Sequence, residues 1–215
     1  MSDASDPALA TYFSNHALGR RFPWSLYHAP IDRALQRFLG DLPKGSRVLN
    51  VGCGMFLNLP DLPAGLRYTG TDIDPRAVEA CAARHPGVEF VRSEPLSLPF
   101  PDATFDAAYA TEVIEHCDRP EAWLREVMRV VRPGGRILLT TPNYDSTSLK
   151  LLEATALEVV ARFQGFTRKG IHPFRCTAPT LEALIRAVGG VAPHADVISM
   201  GWVIAVTFTV PGRAS

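Results

Sequence analysis

The residues of this chain that could do chemistry first appear at the ends of two short apolar runs. Residues 48–51 are typical of a buried strand, and the chain passes from them into a glycine loop, Asn-Val-Gly-Cys-Gly at residues 50–54. A glycine loop allows a ligand to approach the backbone with no side chain in the way. A second predicted strand, residues 68–71, ends at Asp72. A glycine turn after one strand and a carboxylate at the tip of the next indicate a site for the ribose of a nucleotide-like ligand.

These two strands belong to an alternation of strands and helices that must position the site. Hydrophobic periodicity and turn signals predict strands at residues 48–51, 68–71, 88–91, 105–110 and 136–141, helices at 31–39, 75–85, 120–131, 146–163 and 180–188, and a closing hairpin at 196–200 and 202–210. Such an alternation builds a parallel sheet with helices on both faces, a doubly wound α/β fold. Because a hairpin cannot be made by a helical crossover, at least one terminal strand should be antiparallel. Asp74 is predicted to cap the helix that begins at Pro75.

The composition favours a single globular domain, residues 1–215, with one sizeable core, since 47% of the residues are hydrophobic and 20% are charged. The formal net charge is zero, with 22 basic and 22 acidic residues, whereas binding to nucleic acid or to an anionic membrane usually requires a basic excess. No apolar stretch reaches transmembrane length, and residues 1–7 do not resemble a signal peptide. We therefore expect a cytoplasmic protein, a monomer or homodimer, whose partner is a small molecule and neither nucleic acid nor membrane.

The cysteine spacing argues against a structural role for sulfur. Cys53, Cys81, Cys117 and Cys176 lie far apart, and no Cys-x-x-Cys pair occurs. This spacing predicts four free thiols rather than a disulfide or a metal site.

Four sequence blocks, in this order along the chain, resemble the class I S-adenosylmethionine-dependent methyltransferases, in particular the small-molecule (methyltransferase type 11/12-like) group. They are NVGCG at residues 50–54, GTDIDP at 70–75, LPFPDATFD at 98–106 followed by EVIEH at 112–116, and RVVRPGGRILL at 129–139. The similarity covers residues 31–143 and, more loosely, the rest. It implies a Rossmann-like, seven-stranded sheet that is mostly parallel, with an antiparallel strand in the C-terminal hairpin. It also implies S-adenosyl-L-methionine as cofactor and methyl transfer to an O, N or C atom of a small, apolar or aromatic metabolite.

The resemblance also implies which residues contact the cofactor. They are Asn50, Gly52, Cys53, Gly54, Asp72, Ile73, Glu94, Pro95, Leu96 and Ala110. Asp72 would accept hydrogen bonds from both ribose hydroxyls, a task suited to a carboxylate. Ile73 would pack on the adenine, and Glu94 stands where the family usually has an aspartate facing the adenine amino group. Ala110 would line the methionine part, although ordinary core packing is the alternative for Ile73 and Ala110.

Three positions depart from the family pattern. Asn50 stands where an acid commonly holds the ammonium group of the cofactor, and the loss of that charge is worth roughly 1 kcal/mol of hydrogen-bond strength. Phe56 replaces a third loop glycine. Pro95 has no N–H, so an amide contact to the adenine must come from Leu96 or be lost. We expect cofactor binding that is weakened but not abolished.

Methyl transfer needs a general base only when the acceptor must lose a proton. His116 is the first candidate because it follows the fourth predicted strand, at the edge where open α/β sheets bind ligands. His172 and Tyr144 lie in residues 144–179, which the resemblance implies cover the substrate. Residues 1–30, rich in aromatic side chains, are a candidate lid. A structural hydrogen bond for His116, and packing of residues 1–30 on the domain, are the alternatives.

A metal role is a separate alternative. Glu112, Glu115 and His116 resemble the run that binds a divalent metal in quinone-biosynthesis O-methyltransferases, and carboxylates with a histidine can hold such an ion. The same Glu-x-x-Glu-His run is frequent in related methyltransferases without a known metal requirement. We therefore expect no metal.

Three other functions compete with methyl transfer to a small molecule. A nicotinamide dehydrogenase would need a third loop glycine where Leu57 stands. A nonenzymatic or cofactor-impaired relative is consistent with Asn50, Phe56 and Pro95. Methylation of flipped bases commonly uses an Asn- or Asp-Pro-Pro-aromatic run after the fourth strand, where this chain has Ala-Thr-Glu-Val at residues 110–113.

Overall fold

A computed structural model of the protein describes residues 25–55, 61–152, 154 and 172–212. Its helices are α1 (Ser25–Gly40), α2 (Pro75–Arg84), α3 (Pro120–Val130), α4 (Thr147–Leu152) and α5 (Ala178–Ala187), with short 3-10 helices at Ile114–His116 and Ser199–Gly201. Its strands are β1 (Arg47–Val51), β2 (Arg67–Asp72), β3 (Glu89–Arg92), β4 (Phe105–Thr111), β5 (Val131–Pro142), β6 (Val191–Ile198) and β7 (Val203–Thr209). The candidate lid lies mostly outside the described residues, as do Phe56 and most of residues 153–171.

The strands form one seven-stranded sheet in the order β3-β2-β1-β4-β5-β7-β6. Strands β1 to β5 run parallel to one another, and β7 runs antiparallel to both of its neighbours, β5 and β6. The predicted mostly parallel α/β sheet with one reversed strand in the C-terminal hairpin is therefore confirmed. The strand order reverses between β1 and β4, and open sheets of this kind bind ligands at the carboxyl ends of the strands beside such a reversal.

Both faces of the sheet are covered, because successive side chains of a strand point to opposite faces. Leu49 of β1 belongs to a core cluster with Trp123 of α3 and Leu181 of α5. Val48, its neighbour, belongs to a second cluster with residues of α1 and α2, including Leu35. The two buried faces explain why the central strands are apolar without alternation.

Several element boundaries follow their sequence signals closely. The side chain of Asp74 accepts a hydrogen bond from the Arg76 N–H and so caps α2, as predicted. The predicted helix over 146–163 is seen as α4 in the part that is described. Strand β6 begins earlier than predicted, at Val191, because a register shift between Val191 and His194 interrupts the alternation that would reveal it.

The Arg-Pro-Gly-Gly segment inserts additional residues into β5 relative to β4. Val131 pairs with Phe105 and Arg136 pairs with Ala107, so more residues lie between the two paired positions on β5 than on β4. Gly135 is needed there, since a Cβ at this position would lie 2.7 Å from the Asp106 carbonyl oxygen. The helix predicted over residues 120–131 ends at Val130, and a bulge in the pairing of β5 with β4 follows.

Arg129, near the end of α3, fixes the segment that precedes β4. Its guanidinium donates to the carbonyl oxygens of Leu98 (3.1 Å) and Phe100 (2.8 Å) and to the carboxylates of Glu126 (2.8 Å) and Asp102 (2.7 Å). Glu126 also accepts a hydrogen bond from the Leu98 N–H (2.6 Å). Residues 98–102 of the third sequence block therefore have a structural role, and they are called the structural corner below.

Among the described helices, none combines the length and the apolar character that a bilayer crossing requires.

Candidate active site

The glycine loop after β1 is tied to the end of β2. The Gly54 N–H donates to one carboxylate oxygen of Asp72 (2.7 Å), and the Asp74 N–H donates to the other (3.0 Å). The Cys53 N–H donates to the Thr71 carbonyl (2.8 Å). Asp72 is only 6% exposed, and burial raises the pKa of its carboxyl group. The predicted ribose anchor therefore lies at the loop, and each of its oxygens keeps lone pairs for further hydrogen bonds.

The two loop glycines serve different purposes. Gly52 has φ +70°, and a Cβ there would lie 2.6 Å from Cγ2 of Val113, so the protein itself fills the space beside this residue. Gly54 has φ +48°, and none of the described residues has an atom within 4 Å of the place where its Cβ would stand. Open backbone for a ligand is thus found at Gly54. Gly52 instead brings the loop against Val113, in the segment that leads to His116.

Asn50 is buried without satisfying its acceptor. Its side chain is 4% exposed, and within the described part of the chain Oδ1 has no hydrogen-bond partner. The same is true of the hydroxyls of Thr71 and Tyr109. An unsatisfied buried polar group costs about 1–3 kcal/mol, so a ligand that donates a hydrogen bond is the simplest reason to keep one. The ammonium group of S-adenosylmethionine is such a donor, as are its ribose hydroxyls, so the two acceptors Asn50 and Asp72 fit the cofactor.

Of the remaining predicted cofactor residues, most lie at the rim of the site and one lies in the hydrophobic core. Glu94 and Leu96 are exposed, with Pro95 half-buried between them, and Glu94 pairs with Arg92 (3.5 Å). The neighbouring Ser93 N–H donates to the Asp72 carbonyl (3.0 Å), which places this segment next to the predicted ribose anchor.

Ile73, beside that anchor, is half-buried, whereas Ala110 is a buried member of the core cluster beneath α3 and α5. The structure thus places Ala110 where the packing alternative applies, and its contact to the cofactor stays a prediction.

The three candidate catalytic residues come together, although they lie in three separate segments. The rings of His116 and His172 are 4.8 Å apart and meet edge to face. The Tyr144 hydroxyl is 2.5 Å from Nδ1 of His172, whose side chain is 4% exposed. The Phe174 N–H donates to the Glu115 carbonyl (3.2 Å), and the Tyr144 N–H donates to the Cys176 carbonyl (3.1 Å). These backbone bonds bring the segment around His172 across the carboxyl edge of β4 and β5.

The two glutamates of the Glu-x-x-Glu-His run diverge. Glu112 accepts a hydrogen bond from the Thr140 hydroxyl (3.0 Å), whereas Glu115, which is buried, accepts one from the Thr141 hydroxyl (3.0 Å). Because Thr140 and Thr141 are consecutive on a strand, their side chains point to opposite faces of the sheet. The residues that could hold a divalent metal are instead Glu115, His116 and His172, whose ligand atoms all lie within 4.8 Å of one another. The expected absence of a metal stays a prediction.

Several contacts at the site carry no local sequence signal. Tyr27 of α1 hydrogen-bonds to Glu112, which links the start of the described chain to the edge beyond β4. Glu112 has φ +57°, a conformation that is unusual for a residue with a side chain and that often marks a functional position. The Arg175 guanidinium lies 4.9 Å from the centre of the Tyr144 ring. Only a three-dimensional arrangement could reveal these pairs, since their members are distant in sequence.

Comparisons with known proteins agree with this geometry. Residues 49–139 match the family model described as a methyltransferase domain. A solved structure of similar fold comes from the complex between the Haloferax volcanii Trm112 methyltransferase activator and its methyltransferase, with a TM-score of 0.71 at 18% identity over 87% of this chain and 91% of that one. Residues 49–139 thus match a methyltransferase domain, and the chain shares its fold with that solved structure. The dehydrogenase alternative is thereby set aside.

Two curated relatives are more similar in sequence. The fatty-acid O-methyltransferase of Mycolicibacterium smegmatis is 37% identical over 147 residues, which is 65% of this chain and 51% of the relative. The phthiotriol/phenolphthiotriol dimycocerosates methyltransferase 1 of Mycobacterium ulcerans is 40% identical over 104 residues, which is 45% of this chain and 37% of the relative. The matched region thus spans about half the length of the first relative and less of the second.

Proposed function

We propose that the protein transfers a methyl group from S-adenosylmethionine to a hydroxyl oxygen of a small, apolar, lipid-like molecule. The observation that carries this proposal is the meeting of His116, His172 and Tyr144 at the carboxyl edge of the sheet. When bound, the cofactor supplies an activated methyl group on a sulfonium. A hydroxyl acceptor must lose a proton during transfer, and a pair of imidazoles is suited to accept it near neutral pH.

The cluster lies next to the cofactor loop. Val113 packs at the position where a Cβ of Gly52 would stand, and the His116 N–H donates to the Val113 carbonyl (3.0 Å). One short segment therefore joins the glycine loop to the first histidine. An acceptor held against this segment would lie between the cofactor loop and the imidazoles.

Each residue of the cluster has a distinct task in this proposal. His116 is less buried than His172, and we assign to it the proton of the acceptor hydroxyl. The Tyr144 hydroxyl orients the His172 ring through its hydrogen bond to Nδ1. The His172 ring in turn packs edge to face against the His116 ring and helps to hold it in place. Glu115, within 4.8 Å of both imidazoles, provides a negative charge that stabilises a protonated ring.

In this proposal, residues of the glycine loop and of the neighbouring strand end bind the cofactor. Asp72 would accept hydrogen bonds from the ribose hydroxyls, and Asn50 Oδ1 would accept one from the ammonium group. The open backbone at Gly54 would allow the cofactor to lie against the loop. None of these three residues belongs to the proton-accepting cluster, so binding and proton transfer should separate on mutation.

A lipid-like acceptor is supported by the relatives, whose names include a fatty acid and phthiotriol. A carboxyl oxygen is the second candidate acceptor, because a fatty-acid O-methyltransferase is among these relatives. An ionised carboxylate needs no base, so the two candidates differ in their dependence on the histidines.

In the test, the purified protein is incubated with methyl-labelled S-adenosylmethionine and one acceptor at a time. The acceptors are a long-chain alcohol and the carboxylic acid and amine of the same chain length. We expect an ether from the alcohol, detected by mass spectrometry, and a loss of about 10²-fold or more in kcat for His116→Gln. An ester from the acid alone, unaffected by His116→Gln, would favour the second candidate. If S-adenosylhomocysteine fails to raise the thermal midpoint even at millimolar concentration, the cofactor-impaired alternative holds.

A further inference from the structure

Two cysteines that are distant in sequence meet beneath the glycine loop. Cys53 lies between the two loop glycines, and Cys81 lies on α2. The Cys81 thiol donates to the Gly54 carbonyl oxygen (3.2 Å), and the Cys53 sulfur is 3.7 Å from the same oxygen. Both sulfurs therefore contact the same loop carbonyl oxygen.

The absence of a side chain at Gly70 leaves room for the Cys53 thiol. A Cβ at Gly70 of β2 would lie 3.1 Å from Sγ of Cys53 and 2.7 Å from the Phe90 ring, so a side chain at Gly70 would press on the thiol. Cys53 is 7% exposed and Cys81 is fully buried. The other two cysteines, Cys117 and Cys176, have no comparable thiol partner among the described residues.

The two thiols differ in acidity. The neighbouring Cys81 thiol, together with burial, raises the pKa of Cys53. The neighbouring Cys53 thiol and the positive charge of Arg84 lower the pKa of Cys81. A thiolate is the nucleophile in sulfur oxidation, so the pair has one sulfur prepared to react and another positioned to complete the bond.

We propose that Cys53 and Cys81 form a redox-sensitive dithiol that hydrogen peroxide closes to a disulfide, and that this closure weakens cofactor binding. The Cys81 thiolate attacks one peroxide oxygen, which breaks the O–O bond, gives a sulfenic acid and releases hydroxide that is protonated to water. The Cys53 sulfur then attacks the Cys81 sulfur, and the hydroxyl leaves as a second water. Two thiols lose two electrons to one peroxide.

Closure of the disulfide would act on the loop at the place where the ribose is proposed to bind, so this inference rests on the proposed function for the identity of the ligand. The Gly54 carbonyl loses its thiol donors, and the loop becomes covalently attached to α2. The Gly54 N–H donates to the Asp72 carboxylate (2.7 Å), so a loop drawn toward α2 by the cross-link would pull on the group proposed to receive the ribose. The carboxylate is then misplaced for the ribose hydroxyls, and cofactor affinity falls.

The experiment treats the full chain with hydrogen peroxide, removes the excess with catalase, and follows three quantities. Free thiols are counted under denaturing conditions, the cross-linked peptides are identified by mass spectrometry, and S-adenosylhomocysteine affinity is measured by calorimetry. We expect two of the four thiols to disappear, a peptide that links Cys53 to Cys81, and affinity weakened about tenfold, with dithiothreitol reversing all three. By linkage, bound S-adenosylhomocysteine should oppose disulfide formation by the same factor.

Matched variants separate this pair from the other cysteines. The double variant Cys117→Ser/Cys176→Ser should keep the whole response, and Cys81→Ala should bind S-adenosylhomocysteine equally before and after peroxide. Retention of all four thiols, a different cross-link, or the expected cross-link with unchanged affinity would each overturn the proposal. If the reduced chain does not bind S-adenosylhomocysteine, the proposed function fails, while the thiol count and peptide map still decide whether the dithiol exists.

Discussion

The two edges of the sheet treat their polar groups in opposite ways. At the amino edge, Asp106 accepts hydrogen bonds from the Arg47 N–H (2.8 Å) and from Nε of Arg132 (2.7 Å). At the carboxyl edge, Asn50 Oδ1 and the Thr71 hydroxyl are buried with no partner in the described chain. A fold gains stability by pairing such groups, so the unpaired ones are the better candidates for ligand contacts.

This difference also sorts the sequence blocks that carry the family resemblance. Arg129 and the segment it holds, residues 98–102, belong to the structural corner before β4. The glycine loop and Asp72 belong to the edge that is left unsatisfied. Family motifs therefore mix residues that build the scaffold with residues that are proposed to bind, and the hydrogen-bond partners distinguish them.

The largest effect is expected at the carboxyl edge, for Asp72→Asn. An amide has one acceptor oxygen, and its NH₂ group would face a backbone N–H, so it cannot serve the loop and two ribose hydroxyls together. Hydrogen bonds to a charged group are worth about 1.5–3 kcal/mol each, so we expect S-adenosylhomocysteine binding about 10²-fold weaker by calorimetry. The matched control is Asp106→Asn at the other edge, which should bind with unchanged affinity. Equal losses in the two variants would end the functional division between the edges.

The next effect is on stability, for Arg129→Ala. This change removes hydrogen bonds to two carbonyls and two carboxylates at the structural corner. We expect the free energy of unfolding, from urea titration, to fall by about 2–4 kcal/mol, with S-adenosylhomocysteine affinity unchanged. Arg125→Ala is the control, because Arg125 lies exposed on the same helix and surface substitutions usually stay within about 0.5 kcal/mol. A drop in affinity for Arg129→Ala would mean that the corner also shapes the site.

A smaller effect should appear in the pH dependence of stability, with opposite signs at the two edges. Burial opposes ionisation of Asp106, but the hydrogen bonds from Arg47 and Arg132 outweigh it and lower its pKa in the folded state. Its contribution is therefore complete above the unfolded value of about 3.9 and is lost as the pH falls through the folded pKa. Burial raises the pKa of Asp72, so its ionisation costs stability above the folded pKa, and this cost disappears as the pH falls toward about 3.9.

Urea titrations at several pH values between neutrality and about 3 test these signs, since the unfolded aspartate pKa lies within that range. As the pH falls, wild type should gain stability relative to Asp72→Asn and lose it relative to Asp106→Asn. The slopes are compared, because the absolute difference also contains the altered hydrogen bonds of each amide. Slopes of the same sign would contradict the contrast between the edges.

The amino-acid sequence predicted the sheet better than the contacts at the site. Periodicity and turn residues identify strands such as β1 because burial of a whole strand leaves a continuous apolar run, whereas the register shift in β6 erased that signal. The glycine loop and Asp72 could be predicted because their chemistry is local. His116 and His172 could be chosen singly, but their contact depends on backbone bonds such as that from the Phe174 N–H to the Glu115 carbonyl.

The smallest predicted effect concerns Asn50, whose Oδ1 is among the unpaired atoms of the carboxyl edge in the described chain. Asn50→Asp places a charge where Oδ1 is buried without a partner in the described chain, so the free protein should lose stability. The ammonium group of the cofactor, which S-adenosylhomocysteine retains, would then pair with that charge. Because a charged hydrogen bond exceeds a neutral one by roughly 1 kcal/mol, we expect calorimetry to show binding about fivefold tighter.

Asn143 provides the matched control, since it is a buried amide at the end of β5 whose groups are already paired. Its Nδ2 donates to the Gly201 carbonyl (2.9 Å), and its Oδ1 accepts from the Asp145 N–H (3.1 Å). Asn143→Asp should therefore destabilise the protein without tightening S-adenosylhomocysteine binding. If Asn50→Asp behaves in the same way, the buried acceptor of Asn50 does not face the ammonium group, and an unpaired polar atom at this edge is not by itself a mark of the ligand.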